Sequence, residues 1–163
     1  LEAFPSARFN VDMKSDHSVI PLVRAIRRQD ALDRVCIASF SSDRLRRART
    51  LLGPEVCSAA GPREISALVA GTKLPAALPR RSSRPPFRCV QVPVRHAGVE
   101  VVTPAMIRRV GSLGCQLHVW TIDDPDEMHR LLDLGVDGIV TDHIDVLRDV
   151  LAERGQPLTP PPA

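Results

Sequence analysis

The sequence predicts an α/β protein built around parallel strands, because strand-like and helix-like segments alternate along the chain. Six strand–helix units follow one another within the 163 residues. Units of about 25 residues suit part of a closed eight-stranded barrel, and a six-unit doubly wound sheet is the alternative. Apolar residues make up 44% of the chain, enough for a sizeable core, and no run of about 18 apolar residues indicates a membrane span.

The first two units are defined by apolar spacing and helix-ending residues. Alternating apolar and polar residues predict a strand at 9–14, and apolar residues at helical spacing predict a helix at 18–28. A β-branched apolar run predicts the second strand at 35–40. Ser42 is predicted to cap the next helix, which Gly53 ends.

The third and fourth units flank the longest irregular stretch of the sequence. A short strand at 56–59 precedes a helix that opens at Pro62. Residues 72–87 are rich in Pro and Arg and lack periodicity, so they are predicted to form a surface loop. A strand at 88–94 follows, and Thr103 and the proline after it begin the fourth helix.

The last two units carry the clearest boundary signals. A strand at 116–122 leads to a helix capped by Asp124 and opened by the next proline. A strand at 137–141 leads to the final helix at 144–153. The Pro-rich tail at 155–163 is predicted to be disordered, which leaves one domain at 1–154.

Charge and cysteine content exclude several classes of function. The net charge of +3 comes from an Arg-rich composition, but aromatic residues are 3% of the chain and Tyr is absent, which argues against nucleic-acid binding. The four Cys residues include no CxxC pair, so neither a disulfide scaffold nor a zinc site is indicated. They are interpreted as small buried hydrophobes in a reducing compartment.

Polar residues at strand ends are the candidates for a functional site. On the first strand, Asn10, Asp12 and Lys14 alternate with an apolar set, so they point to the opposite face and toward the carboxyl end of the strand. An ion pair on an exposed edge strand is the alternative interpretation of Asp12 and Lys14. On the fifth strand, Trp120 forms either an apolar wall or part of the core, and His118 is interpreted as a hydrogen-bonded interior residue.

Three stretches resemble the glycerophosphodiester phosphodiesterase family: NVDMKSD, VCIASFSSDRLRRARTLLGP and GCQLHVWTIDDPDEMHRLLDLGVDGIVTDHIDVLRDVL. The last stretch is the most specific, with a Trp-Thr step, a helix, a GVDGIVTD segment and a closing helix. The resemblance implies a TIM-type (β/α) barrel of which this chain is the C-terminal three-quarters, with six of eight strand–helix units present.

The same resemblance implies an activity and roles for three residues. The family hydrolyses glycerophosphodiesters to an alcohol and glycerol 3-phosphate with a divalent cation, Ca²⁺ or Mg²⁺. Asp12 falls where the family has a metal-binding Glu, Lys14 falls on a phosphate-contacting Lys, and Trp120 falls on a Trp that lines the substrate pocket. The three side chains are therefore expected to converge on one mouth of the barrel.

The family's opening HR-G motif, its E-x-D metal pair and its second His have no counterpart in this chain and are expected upstream of position 1. No catalytic residue is therefore assigned, and the 163-residue chain by itself is expected to be inactive. A non-catalytic barrel remnant or binding module is the alternative. Open strand edges are expected to favour self-association, and the lack of a leader-like segment predicts a cytoplasmic location.

Overall fold

The computed structural model describes residues 1–72 and 85–156. The strands in these ranges are β1 (Phe9–Asp12), β2 (Val35–Ala38), β3 (Cys57–Ser58), β4 (Cys89–Val92), β5 (Arg95–His96), β6 (Val99–Glu100), β7 (Gln116–Val119) and β8 (Gly138–Ile139). The helices are α1 (Val19–Arg28), α2 (Ser42–Leu52), α3 (Pro62–Gly71), α4 (Pro104–Ser112), α5 (Pro125–Leu134) and α6 (Ile144–Glu153).

The main strands pair in parallel, as the alternation of strands and helices predicts. One sheet has the order β1-β2-β3 and another has the order β4-β7-β8. In each sheet the strands lie in chain order, without the reversal that defines a doubly wound sheet. In the described residues the six parallel strands thus form two three-stranded sheets. A single sheet of six consecutive strands is not observed there.

The chain forms two compact units. Among the described residues, the first unit comprises 1–67 and 85–88, and the second comprises 68–72 and 89–156. The sheet β1-β2-β3 belongs to the first unit, and the sheet β4-β7-β8 belongs to the second.

The core of the first unit lies between its sheet and the helices α1 and α2. Val35 and Ile37 alternate with half-buried residues along β2 and are almost fully buried. They belong to one apolar cluster with Val23 and Ile26 of α1 and with Leu45 of α2, among others. The opposite face of the sheet therefore carries the polar side chains of β1 and the thiols of Cys36 and Cys57.

The second unit follows the same pattern, and its helix ends match the sequence signals. Leu117 and Val119 of β7 are fully buried, whereas His118 between them is half-buried. The side chain of Thr103 accepts from the Met106 N–H at 3.2 Å and caps α4. Asp124 caps α5 in the same way, and α6 has the predicted bounds.

Two local predictions are corrected, and one element of the structure was not predicted. Ser41, not Ser42, caps α2, because Ser41 is the extended residue whose hydroxyl accepts from the Arg44 N–H at 3.4 Å. The strands are shorter than their apolar runs, and β1 ends at Asp12 before Lys14. The hairpin β5-β6 is not predicted at all, since its turn is Ala97-Gly98 rather than a strong Asn-Gly signal.

Two predictions concern residues that are mostly not described. Of the predicted loop at 72–87, residues 73–84 lie outside the described ranges, and so do residues 157–163 of the predicted tail. The domain bounds 1–154 stay a prediction. In the part of the chain that is described, no helix has the length and apolar character needed to cross a membrane.

Candidate functional site

An ion pair between Asp12 and Lys14 lies at the carboxyl end of β1. Asp12 is the last residue of the strand, and the Lys14 Nζ lies 2.5 Å from the Asp12 Oδ2. The Lys14 side chain is 76% exposed and that of Asp12 is 27% exposed. An ion pair this open to solvent contributes at most about 1 kcal/mol to folding. The pair therefore contributes little to the stability of the first unit, and its main consequence is an ammonium group exposed to solvent.

The other carboxylate oxygen of Asp12 is buried and does not take part in the ion pair. Its Oδ1 is buried and has no hydrogen-bond partner among residues 1–72 and 85–156. A buried carboxylate oxygen without a partner is costly, because its hydration is lost without replacement. The atom is consequently suited to accept a ligand from outside the described residues, either a hydrogen-bond donor or a cation.

An aromatic residue completes the surroundings of Lys14. The Lys14 Nζ lies 5.5 Å from the centroid of the Phe40 ring, a cation–π distance. Phe40 follows β2, and 67% of its surface is exposed. This contact could not be predicted from the sequence, because Phe40 is distant from Lys14 in the chain and only the β1–β2 pairing brings the two strand ends together.

Hydrogen bonds to one carbonyl fix the turn that carries Lys14. The Met13 carbonyl accepts from the Ser39 hydroxyl at 2.8 Å and from the Arg44 Nη1 at 3.1 Å. The Arg44 Nε also donates to Asp16 at 2.6 Å. This hydrogen bond, together with the charge of Arg44, holds the pKa of Asp16 below its usual range. Arg44 is thus engaged with the protein, whereas Lys14 has donors left for a ligand.

Trp120 lies at the carboxyl end of β7 in the second unit. Its backbone N–H donates to the Val92 carbonyl at 3.1 Å, and its side chain is half-buried, in contrast to the neighbouring Val119. Two residues earlier, the His118 ring contacts Gln91 at 3.5 Å and Gln116 at 3.3 Å. The hydrogen bonds predicted for His118 are confirmed, but the residue is half-buried rather than interior. Half-burial also leaves part of Trp120 accessible to a ligand.

The loops that follow β7 and β8 are joined by Asp123. Its Oδ1 accepts from the Thr141 hydroxyl at 2.8 Å and from the Asp142 N–H at 2.9 Å. The backbone hydrogen bond from Asp142 and the hydroxyl bond from Thr141 lower the pKa of Asp123. These hydrogen bonds connect the segment after the Trp-Thr step to the end of the GVDGIVTD segment, since Asp123 anchors Thr141 and Asp142.

The described residues do not form a cation site by themselves. In the ranges 1–72 and 85–156, no group of three or more His, Cys, Asp or Glu residues is placed to hold a metal ion. Ca²⁺ takes about six to eight oxygen ligands, and here Asp12 offers one buried oxygen while Lys14 engages the other. Asp12 fits the role of a single ligand and no more.

Of the three site residues predicted from the sequence, Asp12 and Lys14 are brought together within the first unit. Trp120 belongs to the second unit. The convergence of Trp120 with the other two stays a prediction. Phe40 and Asp123 are the residues that sequence reasoning assigned no role and that the structure adds to the two strand-end clusters.

Comparison of the sequence with known proteins identifies a family and a similar relative. The profile of the "Glycerophosphoryl diester phosphodiesterase family" matches residues 5–146. A relative from Mycobacterium tuberculosis, "Probable glycerophosphodiester phosphodiesterase 2", is 44% identical over 156 residues, which are 96% of this chain and 59% of the relative. The chain thus spans about three-fifths of that relative's length.

Solved structures of two glycerophosphodiester phosphodiesterases share the fold. The protein from Parabacteroides distasonis superimposes with a TM-score of 0.68 at 22% identity, over 91% of this chain and 59% of the other. The protein from Agrobacterium tumefaciens gives a TM-score of 0.63 at 15% identity, over 90% and 56%. At these identities the likeness shows the fold alone, a TIM-barrel-like α/β fold.

The fold and the strand-end clusters thus define a barrel-type α/β protein with its polar groups at the carboxyl ends of its strands. This chain belongs to the glycerophosphoryl diester phosphodiesterase family.

Proposed function

We propose that the chain is part of an enzyme that hydrolyses glycerophosphodiesters to an alcohol and glycerol 3-phosphate. The observation that carries the proposal is the 44% identity to the Mycobacterium tuberculosis relative, which extends over 96% of this chain. The exposed ammonium of Lys14 beside the carboxylate of Asp12 supports it, because a phosphodiester substrate is an anion that needs its charge offset.

Each of the three sequence-predicted residues has a role in this proposal. Lys14 contacts phosphate oxygens with the donors that Asp12 does not use. Trp120 lines the pocket with the accessible part of its ring. Asp12 supplies one carboxylate oxygen to a divalent cation, Ca²⁺ or Mg²⁺, and the buried Oδ1 supports this assignment. The remaining cation ligands and the groups that transfer protons come from outside the residues described.

The test is release of glycerol 3-phosphate from glycerophosphocholine in the presence of Mg²⁺ or Ca²⁺. We expect no turnover by the purified 163-residue chain and measurable turnover once a polypeptide carrying the HR-G and E-x-D motifs is added, because Lys14 and Asp12 supply charge but no proton transfer. Restored turnover should be lost in Asp12→Ala and in Lys14→Met. It should persist in Arg24→Met, which removes an exposed charge from α1.

Two outcomes would contradict this proposal. Turnover by the chain alone that Asp12→Ala abolishes would show that the catalytic groups lie within these residues. Failure of the added polypeptide to restore turnover, although it binds the chain, would favour the alternative of a non-catalytic binding module.

Association and location belong to the same proposal. Among the described residues, β1 pairs with β2 alone and β8 pairs with β7 alone, so each presents an edge to a further strand. We propose that these edges drive self-association of the isolated chain. Sedimentation should then show oligomers whose fraction rises with concentration, and a monomer at all concentrations would contradict it. A cytoplasmic location and six of eight barrel units remain predictions.

A further inference from the structure

Two cysteines lie side by side on neighbouring strands of the first unit. Cys36 of β2 and Cys57 of β3 are register partners in the parallel pairing of these strands. Neither is in a disulfide, and both are half-buried, whereas Cys89 and Cys115 are buried. The interpretation of all four as buried hydrophobes is therefore wrong for Cys36 and Cys57.

The two thiols share the face of the sheet that does not contact the helices. On β2, Val35 and Ile37 point into the apolar cluster, so Cys36 points to the other side. On β3, the Ser58 hydroxyl contacts the Arg49 Nε of α2 at 2.9 Å, so Cys57 also points away from the helices. Asn10 of β1, the register partner of Cys36, adds an amide to the same row.

We infer that Cys36 and Cys57 form a two-thiolate site for a soft monovalent cation of the copper(I) class. Thiolates are the side chains that select such cations. In-register side chains on parallel strands are held about 4.8 Å apart. If the metal–sulfur bonds are as long as the zinc–thiolate bond, about 2.3 Å, two collinear bonds separate the sulfur atoms by about 4.6 Å. One two-coordinate ion then bridges the pair without movement of the strands.

A direct disulfide fits this pair less well. It requires a sulfur–sulfur bond of about 2.05 Å and Cβ atoms about 3.8 Å apart, closer than parallel register partners stand. In the proposed site, each thiol releases its proton to solvent and each thiolate forms one bond to the cation, with no change of oxidation state.

The experiment is a copper(I) titration of the reduced 163-residue chain under nitrogen, with a chromophoric copper(I) chelator as competitor. The chain should withdraw one equivalent of copper(I). Cys36→Ser and Cys57→Ser should each weaken binding at least about tenfold, because loss of an outer-shell partner already costs that much and each variant removes one of the two ligands themselves. Cys115→Ser is the matched control and should bind as the unmodified chain does. Wild-type affinity in either Cys36→Ser or Cys57→Ser would overturn the inference.

A second measurement on the unmodified chain does not depend on how well the variants fold. Copper(I) should slow alkylation of Cys36 and Cys57, mapped by mass spectrometry of peptides, and should leave the rates at Cys89 and Cys115 unchanged. Equal protection of all four cysteines, or protection of Cys115 alone, would overturn the site. Neither experiment involves phosphodiester hydrolysis, so the outcome is independent of the proposed function.

Discussion

The ring of His118 occupies the space beside Gly138 that a larger residue would need. The two residues are register partners on β7 and β8, and a Cβ atom at position 138 would lie 2.8 Å from the His118 Cδ2. The contacts of the ring with Gln91 and Gln116 limit how far it can move away. Glycine at this strand position is thus explained by close packing rather than by a backbone requirement.

Gly138→Ala should lower the free energy of unfolding by about 1–3 kcal/mol, the usual cost of overpacking. His118→Ala in the same chain should remove most of that cost, which chemical denaturation of the single and double variants measures. Gly111→Ala is the control, because a Cβ there meets no atom within 4 Å and the residue lies in α4. It should leave stability unchanged or raise it by up to about 1 kcal/mol. An equal cost of Gly138→Ala with and without His118 would contradict this explanation.

Glu64→Gln, which breaks the ion pair of Glu64 with Arg49, should lower the free energy of unfolding by about 2–3 kcal/mol. This is less than the cost of breaking a fully buried pair, because the side chains of Arg49 and Glu64 are 14% and 25% exposed. Glu64 binds Arg49 through both carboxylate oxygens, at 2.7 and 3.1 Å, and so joins α3 to α2. Its loss leaves the guanidinium charge uncompensated. Urea denaturation provides the measurement.

Arg63→Met is the matched control for that prediction. Arg63 also pairs across the two helices, with Asp43 at 3.3 Å, but the partners are 72% and 59% exposed. Its removal should change stability by less than about 0.5 kcal/mol. Similar losses in Glu64→Gln and Arg63→Met would show that burial does not separate the two pairs.

The fluorescence of Trp120, the single Trp of the chain, tests the proposed roles of Lys14 and Trp120 in binding glycerol 3-phosphate. We expect a saturable change in emission that is lost in Lys14→Met and reduced in Lys14→Arg, because the anion needs the cation for binding. Arg24→Met should retain the response, since Arg24 lies on the exposed surface of α1. An undiminished response in Lys14→Met would place the anion elsewhere.

The carboxyl of Asp123 should titrate below the usual range for aspartate, about pH 3.9. Thr141→Val should raise its pKa, because the hydroxyl that stabilises the charged form is removed. Since the folded-state pKa is lowered, the stabilisation is complete above the unfolded-state value and is lost as the pH falls through the folded-state value. NMR titration of the carboxyl group in both chains is the measurement, and identical midpoints would contradict the assignment.

The sequence by itself determined most of the secondary structure and the family. Apolar spacing and caps placed the helices to within a few residues, because these signals are local: Thr103 and Asp124 act on N–H groups three residues away. The alternation of residues 9–14 also predicted Asp12 and Lys14 on one side of the chain, and the two form an ion pair. Weak local signals failed, as at Ser42 and at the Ala97-Gly98 turn.

The tertiary structure alone decided which distant residues meet. Phe40 reaches Lys14, Asp123 holds Thr141, and Cys36 lies beside Cys57, each through the pairing of strands or loops far apart in the chain. Strand register and neighbours are set by burial of one sheet face against helices, a property of the assembled unit. The residue pattern of a single strand specifies on which face of the sheet each side chain lies. It does not specify which residue of the neighbouring strand lies beside that side chain.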